Sequence, residues 1–389
     1  MNSKNLQGKS ILVVAGDYPY PPNHGMVVDI WNRILILEKI GLKIDLICTV
    51  KGNTDSLDKS EIVKHVNHFW IVNRKNRVID LLSKETIQVK SRVALSRLVI
   101  NQHYDYLLLE ADYVAEILNN KTITYDYAIL RSHNNEGVYY KNLGESTPNI
   151  FKKFYYFSES FKFNKTEPAL LKKVKNVLFV SMDEKKRYDK QLKGINTLFL
   201  PPVIKLETKL RQLNNKTVLF IGSLYIDNNR EGIQYYIKNV HPYLSQLDGY
   251  KFILAGNTKH HKLQWVDDIL RTNKDVTFYD TPDDLEPLYA RASVFLNPML
   301  HGAGVKLKTV EAIVNGLPVV CFPTGIEGTG LQQGIGNLTA RNAEEMRRYF
   351  EKLLTGTSTE KQDIVRKGQK FITKNYDAER LLSNFLSSL

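Results

Sequence analysis

The 389 residues exceed what one ordinary domain holds, so two domains are expected, and 43% hydrophobic with 24% charged residues exclude a disordered or fibrous chain. Two cysteines far apart in sequence, Cys48 and Cys321, exclude a disulfide framework and a cysteine-based zinc site. The formal net charge is +13, and the first 200 residues carry most of it, with 30 basic against 21 acidic side chains, a field that favours anionic partners of any kind.

The polar start of the chain and the short apolar run Ile11–Ala15 offer no signal-peptide core, and no run reaches the ~18 apolar residues of a spanning helix, so a cytoplasmic protein is expected. Short β-branched runs then alternate with amphipathic ones, the pattern of parallel sheets covered by helices. Strands are predicted at Ile11–Ala15, Ile44–Val50, Phe69–Val72, Tyr106–Leu109, Tyr127–Arg131 and Val177–Ser181, forming one open six-stranded sheet. Between the first two, Val27, Ile30, Ile34, Leu37 and Ile40 recur at helical spacing until Gly41 stops the run. Residues 196–215, with Pro201 and Pro202, read as a linker.

A second series follows, with strands at Val218–Ile221, Phe252–Ala255, Val276–Tyr279, Val294–Asn297 and Pro318–Phe322. Helices are predicted at Arg230–Leu247, Lys262–Leu270, Leu285–Ala292 and Lys306–Val314, and the last ~35 residues read as helical, with Leu381, Leu382, Phe385 and Leu386 on one face. The expected fold class is α/β, with two doubly wound Rossmann-like domains, 1–200 and 201–375, facing across a cleft, and a terminal helix within 376–389 packing back on the first.

The most informative stretch is Asn297-Pro-Met-Leu-His-Gly-Ala-Gly-Val-Lys-Leu-Lys-Thr-Val-Glu-Ala. A strand ends, a loop carries Gly302 and Gly304, and a helix opens near Val305, which presents backbone N–H groups and a positive dipole end to an anion. Lys306 and Lys308 in the first turn oppose that dipole and make sense if a phosphate neutralises them. Glu311, one turn beyond Lys308, can accept hydrogen bonds from the vicinal hydroxyls of a sugar. The plain alternative is a glycine-bearing cap on a helix with solvated charges. As a dinucleotide fingerprint the stretch is weak, because the third glycine position holds Leu307.

Gly302-Ala-Gly-Val-Lys-Leu-Lys-Thr-Val-Glu-Ala, followed by Gly316-Leu-Pro-Val-Val and Gly325-Ile-Glu-Gly, resembles the donor-binding region of glycosyltransferases of the GT-B fold, group 1, family 4 type. Phe220-Ile-Gly-Ser-Leu, Leu254-Ala-Gly and residues 289–298 extend the likeness, and Ser132-His-Asn-Asn-Glu with Val180-Ser-Met-Asp resemble the acceptor-domain signatures. The resemblance implies that Lys306 or Lys308 holds the donor diphosphate and Glu311 the nucleotide ribose. It also implies that the loop Gly302, Ala303, Gly304 and Val305, with Gly222 and Ser223, brings backbone to the phosphates. Arg230 would be a second cation, and Tyr279 and Asp280 would flank the base. His133 would be the histidine that faces the transferred sugar; its plain alternative is a turn cap in a polar cluster. One departure is clear: the position eight before Glu311, where the family commonly has a second glutamate, is Ala303, as in a Gly-Ala-Gly subgroup.

Cleaving a sugar–phosphate bond leaves a diphosphate whose growing charge a metal or fixed cations must stabilise. No Asp-x-Asp pair adjoins the candidate loop, and Asp267-Asp268 and Asp283-Asp284 read as helix caps, so metal-independent transfer is expected, with no cofactor beyond a UDP- or GDP-linked sugar donor. Retention of anomeric configuration is implied by the resemblance alone. Asp17, His24 and Gly25, after the first strand, are the acceptor-side candidates.

The segment 141–175 interleaves lysines with aromatics, among them Lys152, Lys153, Phe151, Phe154, Tyr155 and Phe161. It fits a peripheral contact with an anionic membrane at the inner face of the cell membrane, a single-stranded nucleic acid, or a helix whose aromatics fill the core. The expected partners are a nucleotide-sugar donor and a glycan or lipid-linked glycan acceptor in surface polysaccharide assembly. A sugar-nucleotide epimerase of the same fold and a basic nucleic-acid-binding protein are the alternatives. Against the latter, no helix-turn-helix, zinc-finger or RNP-type pattern is visible, and no nucleic-acid partner is expected.

Overall fold

In the computed structural model, which describes residues 6–23, 25–54, 57–75, 77–302 and 304–389, two parallel sheets organise the chain. Met1–Val203 with Ala378–Leu389 form one compact unit, and Ile204–Asp377 form the other.

The sheet of the first unit has the order β3-β2-β1-β4-β5-β6-β7, every pair parallel. Its strands are β1 (Ser10–Ala15), β2 (Lys43–Val50), β3 (His68–Asn73), β4 (Gln102–Leu109), β5 (Ile123–Ser132), β6 (Asn176–Phe179) and β7 (Asn196–Phe199). β1 and β2 are buried along nearly their whole length, which is why they read as continuous apolar runs rather than alternating ones. Seven strands replace the six expected from the sequence. The seventh, β7, lies inside the segment read as a linker: it has four residues at the sheet edge, too few to show a period, and Pro201-Pro202 follows at once.

Helix α1 (Gly25–Lys39) buries Val27, Ile30, Ile34 and Leu37, and Gly41 ends the run in a left-handed conformation at φ 92°. The short α2 (Ile87–Lys90) is capped by Thr86. A helical hairpin follows: α3 (Glu136–Ser146), capped by Asn135, and α4 (Ile150–Val174), capped by Asn149. The two approach closely because Gly137 and Gly144 face α4; side chains there would run into Asn164 and Phe157. Phe163 is buried and stacks on Tyr140 at 5.3 Å. Tyr155 and Tyr156 are half-buried against Tyr140, but the core-filling reading fails for Phe151, Phe154 and Phe161, which are 83%, 81% and 69% exposed because they lie on the face of α4 turned from α3 and the sheet. Helix α5 (Met182–Gln191), capped by Ser181, completes this series.

The second sheet has the order β10-β9-β8-β11-β12-β13, again all parallel. It comprises β8 (Lys216–Ile221), β9 (Tyr250–Gly256), β10 (Val276–Asp280), β11 (Val294–Asn297), β12 (Val319–Cys321) and β13 (Asn337–Thr339). Its helices are α6 (Asp227–Asn239), α7 (His241–Leu244), α8 (Gln264–Thr272), α9 (Glu286–Ala290), α10 (Leu307–Val314), α11 (Ala343–Thr355) and α12 (Ser358–Asn375). The single helix expected at Arg230–Leu247 is broken at Val240, because Pro242 cannot donate into a continuing helix. β13 and α11 had no counterpart in the sequence reading; β13 has three residues.

In both sheets the order reverses beside the first strand, at β1/β4 and at β8/β11. Crossovers on the two sides of such a point leave in opposite directions, and a crevice opens at the carboxyl ends of the strands. The last helix, α13 (Ala378–Ser387), belongs to the first unit: Leu382, Phe385 and Leu386 enter the cluster of Ile11, Val13, Ile34 and Leu37, and the Tyr106 hydroxyl donates to Leu386 O at 3.0 Å. Among the described residues no helix is long and apolar enough to cross a membrane.

Leu382→Ala is expected to remove about 2–5 kcal/mol from the first unit, as large-to-small changes at fully buried leucines do; urea unfolding of the full chain measures it.

Candidate active site

The loops after β8 and β11 meet beside the β8/β11 reversal. Gly222 follows β8, and a Cβ there would lie 2.9 Å from the Phe220 ring and 3.2 Å from Lys308 Nζ, so a side chain would push the ring and the lysine aside. A Cβ on Gly256, at the end of β9, would overlap Gly222 O; the two strand ends are pinned together. Asn229, buried in the first turn of α6, donates to Ser223 O at 2.8 Å and accepts from Lys308 Nζ at 2.7 Å. The Lys308 ammonium also stands 4.9 Å from the centre of the Phe220 ring.

On the β11 side, Gly302 and Gly304 have φ 125° and 83°, which folds the loop sharply before α10. Lys306, only 5% exposed, turns its ammonium back into this loop, donating to Gly302 O at 3.1 Å and Gly304 O at 2.9 Å. Its backbone N–H donates to Glu327 O at 3.3 Å, so Gly325-Ile-Glu-Gly braces the turn. The Leu307 N–H returns to the carbonyl of the half-buried Val305. The two lysines therefore differ: Lys306 straps the loop, and Lys308 lies against Gly222 and the loop that carries Ser223.

Burial lowers the Lys308 ammonium to about 8, with Lys306 adding to the fall and Glu311 opposing it. Lys306 is lowered in the same way by burial, against Glu327. Glu311, three residues along α10 and still reaching solvent, has its carboxyl raised by desolvation, against the pull of Lys308. Two cations and a carboxylate thus stand partly desolvated at the start of one helix.

The other residues marked in this unit are placed differently. Arg230 pairs with Asp227 at 2.9 Å and lines a separate open hollow of about 560 Å³ with Tyr225, Lys262 and Trp265, so it does not join the Lys308 group. Tyr279 and Asp280 end β10, next to β9. The Tyr279 hydroxyl accepts from Arg291 at 3.1 Å; Asp280 accepts from Thr281 and Thr258, which together hold its carboxyl low, and Thr281 N–H donates to Gly256 O at 3.0 Å. Ala303 and His24 lie outside the described residues.

In the first unit, His133 follows β5 with Nδ1 3.7 Å from Asp29 and Nε2 3.8 Å from Glu110. These two carboxylates belong to a buried quartet. Arg131 donates to Asp29 at 3.0 and 3.1 Å, while Arg33 donates to Asp29 and, at 2.6 and 3.1 Å, to both oxygens of Glu110. Burial alone would raise Asp29, but Arg131 and Arg33, with His133, hold its carboxyl far below the usual range. Asp29, Glu110 and His133 offer ligand atoms within 4.8 Å of one another, a spacing suited to a metal ion, yet two guanidinium groups already occupy the carboxylates. Asp17 accepts from Tyr18 N–H at 2.8 Å, and Gly25 opens α1 with no atom within 4 Å of where a Cβ would stand, so packing does not demand glycine there.

The sequence reading did not mark Asn229 or the quartet, and quoted Glu327 only within Gly325-Ile-Glu-Gly. Asp29 and Arg33, four apart within the apolar face of α1, carry a signal that could have revealed a buried ion pair, as does Glu110 directly after a strand. Asn229 has no such signal, since an asparagine near a helix start reads as a cap.

Arg131→Leu leaves Asp29 half paired and is expected to cost about 3–5 kcal/mol, the usual penalty for removing one partner of a buried pair. Because the Asp29 carboxyl is depressed by folding, the quartet's stabilisation is full above the ordinary carboxylate range and declines as pH falls below about 4; urea titrations at pH 7 and about pH 3 check both statements.

The pattern described as glycosyl transferases group 1 matches residues 215–356. A Klebsiella pneumoniae protein described as an uncharacterized 44.6 kDa protein in the cps region is 34% identical over 398 aligned positions, covering 96% of this chain and 98% of that one. Among solved structures, a TarM variant of S. aureus in complex with fondaparinux, alpha-GlcNAc-glycerol and UDP superposes with a TM-score of 0.63 at 11% identity, covering 97% of this chain and 99% of that one. HepE of Anabaena, in complex with UDP and glucose, gives 0.59 at 13% identity over 98% and 100% of the two chains. The fold is the GT-B fold expected from the sequence, and with the full-length relative and the matching pattern over the Lys308 unit, the chain belongs to the group 1 glycosyltransferases.

Proposed function

We propose that this glycosyltransferase takes a sugar from a UDP- or GDP-linked donor, held in the second unit, and transfers it to a glycan or lipid-linked glycan held by the first. The observation that carries this reading is the placement of Lys308 between Asn229 and Gly222 at the start of α10, with Glu311 one turn on. A diphosphate needs close backbone and a fixed cation, and a ribose needs a carboxylate acceptor; these residues supply both. Charge stabilisation of the departing diphosphate is assigned to Lys308, the α10 amides and, through the loop it straps, Lys306. Transfer that needs no added divalent ion follows from that assignment, and retention of configuration from the family resemblance.

The cps-region description of the Klebsiella pneumoniae relative supports surface polysaccharide assembly as the setting. His133 is assigned to the transferred sugar, and Asp17 and Gly25 to the acceptor side.

The full chain is expected to gain thermal stability from UDP or GDP, and Lys308→Ala to weaken that binding at least tenfold, the effect of removing a charge-assisted contact worth roughly 1.5–3 kcal/mol. The free ammonium loses its proton above about 8, so nucleotide affinity falls as pH rises beyond that value while the diphosphate stays fully charged. Calorimetry between pH 7 and pH 9.5 reads both effects; equal binding by Lys308→Ala would remove the donor assignment, and stabilisation by oligonucleotides alone would replace it.

A peripheral contact with an anionic bilayer is assigned to α4, where Phe151, Phe154 and Phe161 are exposed beside Lys152, Lys153 and Lys165. The full chain is expected to sediment with anionic vesicles at low salt and not with neutral ones. Phe151→Asp with Phe154→Asp should abolish this without lowering the melting temperature, and unchanged sedimentation by that variant would overturn the contact.

A further inference from the structure

The crevice of the first unit holds charges that the quartet does not neutralise. Arg92 is 1% exposed, yet every acceptor it reaches is a neutral oxygen. Nε donates to Thr49 Oγ1 at 2.9 Å, Nη1 to Gln88 O at 2.7 Å and Oε1 at 3.1 Å and to Ser91 Oγ at 3.2 Å, and Nη2 to Gly16 O at 3.0 Å. Its guanidinium carbon sits 4.5 Å from the centre of the Tyr113 ring. Burial, followed by the charge of Arg74, lowers it to about 10. Arg74 itself, at the end of β3, has a buried Nε without a hydrogen-bond partner and only a 3.5 Å approach to Asp17.

Both arginines line a hollow of about 590 Å³ that begins at Gly16, the end of β1, and is walled opposite by tyrosines of α3 and α4, among them Tyr139 and Tyr155. The carboxyl groups nearby do not cancel the pair. Asp17 stands against two guanidinium groups. Asp112 is raised well above its ordinary value by burial and by Glu136 and Glu167, and Glu136, on the tyrosine wall, is raised to about 7 by burial and by Glu167 and Glu184. Burying a guanidinium without a counter-ion is costly unless an anion arrives to complete it. Planar forks recognise the oxyanions of a phosphate or a carboxylate, and tyrosine faces suit the apolar side of a sugar ring.

We infer that this hollow is an acceptor subsite for a sugar bearing an anionic group, a phosphate ester or a carboxylate, with Arg74 and Arg92 holding the charge and the tyrosine wall the ring. This rests on the reading of the first unit as the acceptor side, and goes beyond it by fixing the charge of the acceptor.

Ligand-observed NMR titration of the full chain with glucose 1-phosphate, glucuronic acid and methyl glucoside tests it. At least one anionic sugar should bind while methyl glucoside does not, and which of the two binds better names the anionic group. Arg74→Gln should weaken that binding at least tenfold, and Lys308→Ala should leave it unchanged. Arg92→Lys, retained for the comparison if its circular dichroism matches the parent, should weaken it as well. The inference falls if neither anionic sugar binds, if Arg74→Gln binds like the parent, or if the binding disappears in Lys308→Ala instead. A parallel UDP titration separates the two readings: loss of UDP binding in Lys308→Ala with no Arg74-dependent anion binding discards the subsite alone, and Arg74-dependent binding without UDP binding discards the donor assignment alone.

Discussion

Parallel strand order that reverses beside the first strand of each sheet is the constraint from which the rest follows. Buried parallel strands consume their own polar groups, so chemistry can be placed only where the strands end. At the ends of β8 and β9, Gly256 lies so close to Gly222 O that it admits no side chain, and the loop after β11 folds through two left-handed glycines before α10 begins. Lys308 then meets Asn229 of the first turn of α6 directly. Local conformation and site geometry are therefore one problem in this unit, solved by glycine.

The two units treat buried charge in opposite ways. In the first, Asp29, Arg33, Glu110 and Arg131 neutralise one another across α1, β4 and β5, and the quartet joins a helix to the sheet with its charges satisfied. Such an arrangement adds specificity of packing more than stability, since each ion gave up its water to join. Lys306, Lys308, Arg74 and Arg92 are different. They are drawn into protein chiefly against carbonyl, amide and hydroxyl oxygens, with Glu327 3.9 Å from Lys306 and Asp17 3.5 Å from Arg74, and both Lys308 and Arg92 are pushed toward the neutral form. Within one fold, the quartet pairs its charges with one another, whereas Lys308 and Arg92 meet neutral oxygens near the strand ends.

How far the sequence could be read follows the same division. The alternating runs and the stretch from Asn297 to Glu311 were legible because buried parallel strands and a glycine-bearing helix start leave composition and spacing that survive in one dimension. The edge strands β7 and β13 were not, since β7 lies in a segment whose Pro201-Pro202 reads as a linker and β13 carries one large apolar residue, Leu338. The roles of Lys306 and Lys308 could not be separated, because which of two neighbouring lysines turns inward depends on the carbonyls of Gly302 and Gly304, set by the φ angles of the loop. Arg92 was invisible for a related reason: an arginine reads as solvated until Gly16 after β1 and Thr49 in β2 supply its acceptors. The aromatics of α4 misled in the other direction, since an interleaved pattern does not tell which face the hairpin buries.

The Lys308 and Glu311 pair gives the physical sense of the proposed donor crevice. One turn apart on α10, the ammonium is lowered and the carboxyl raised, each chiefly by desolvation and each partly restored by the other. In solution a ligand phosphate and a side-chain ammonium must both shed water when they meet, and that cost subtracts from affinity. Here the protein side is already desolvated when the chain folds, so the cost is carried as reduced stability of the empty protein rather than at the moment of binding. On the proposed donor assignment, a diphosphate beside Gly222 would hold the Lys308 ammonium charged to higher pH and offset its desolvation. The gain is largest when the negative charge is largest, that is, when the sugar–phosphate bond has begun to break, and this is what differential stabilisation of a transition state requires.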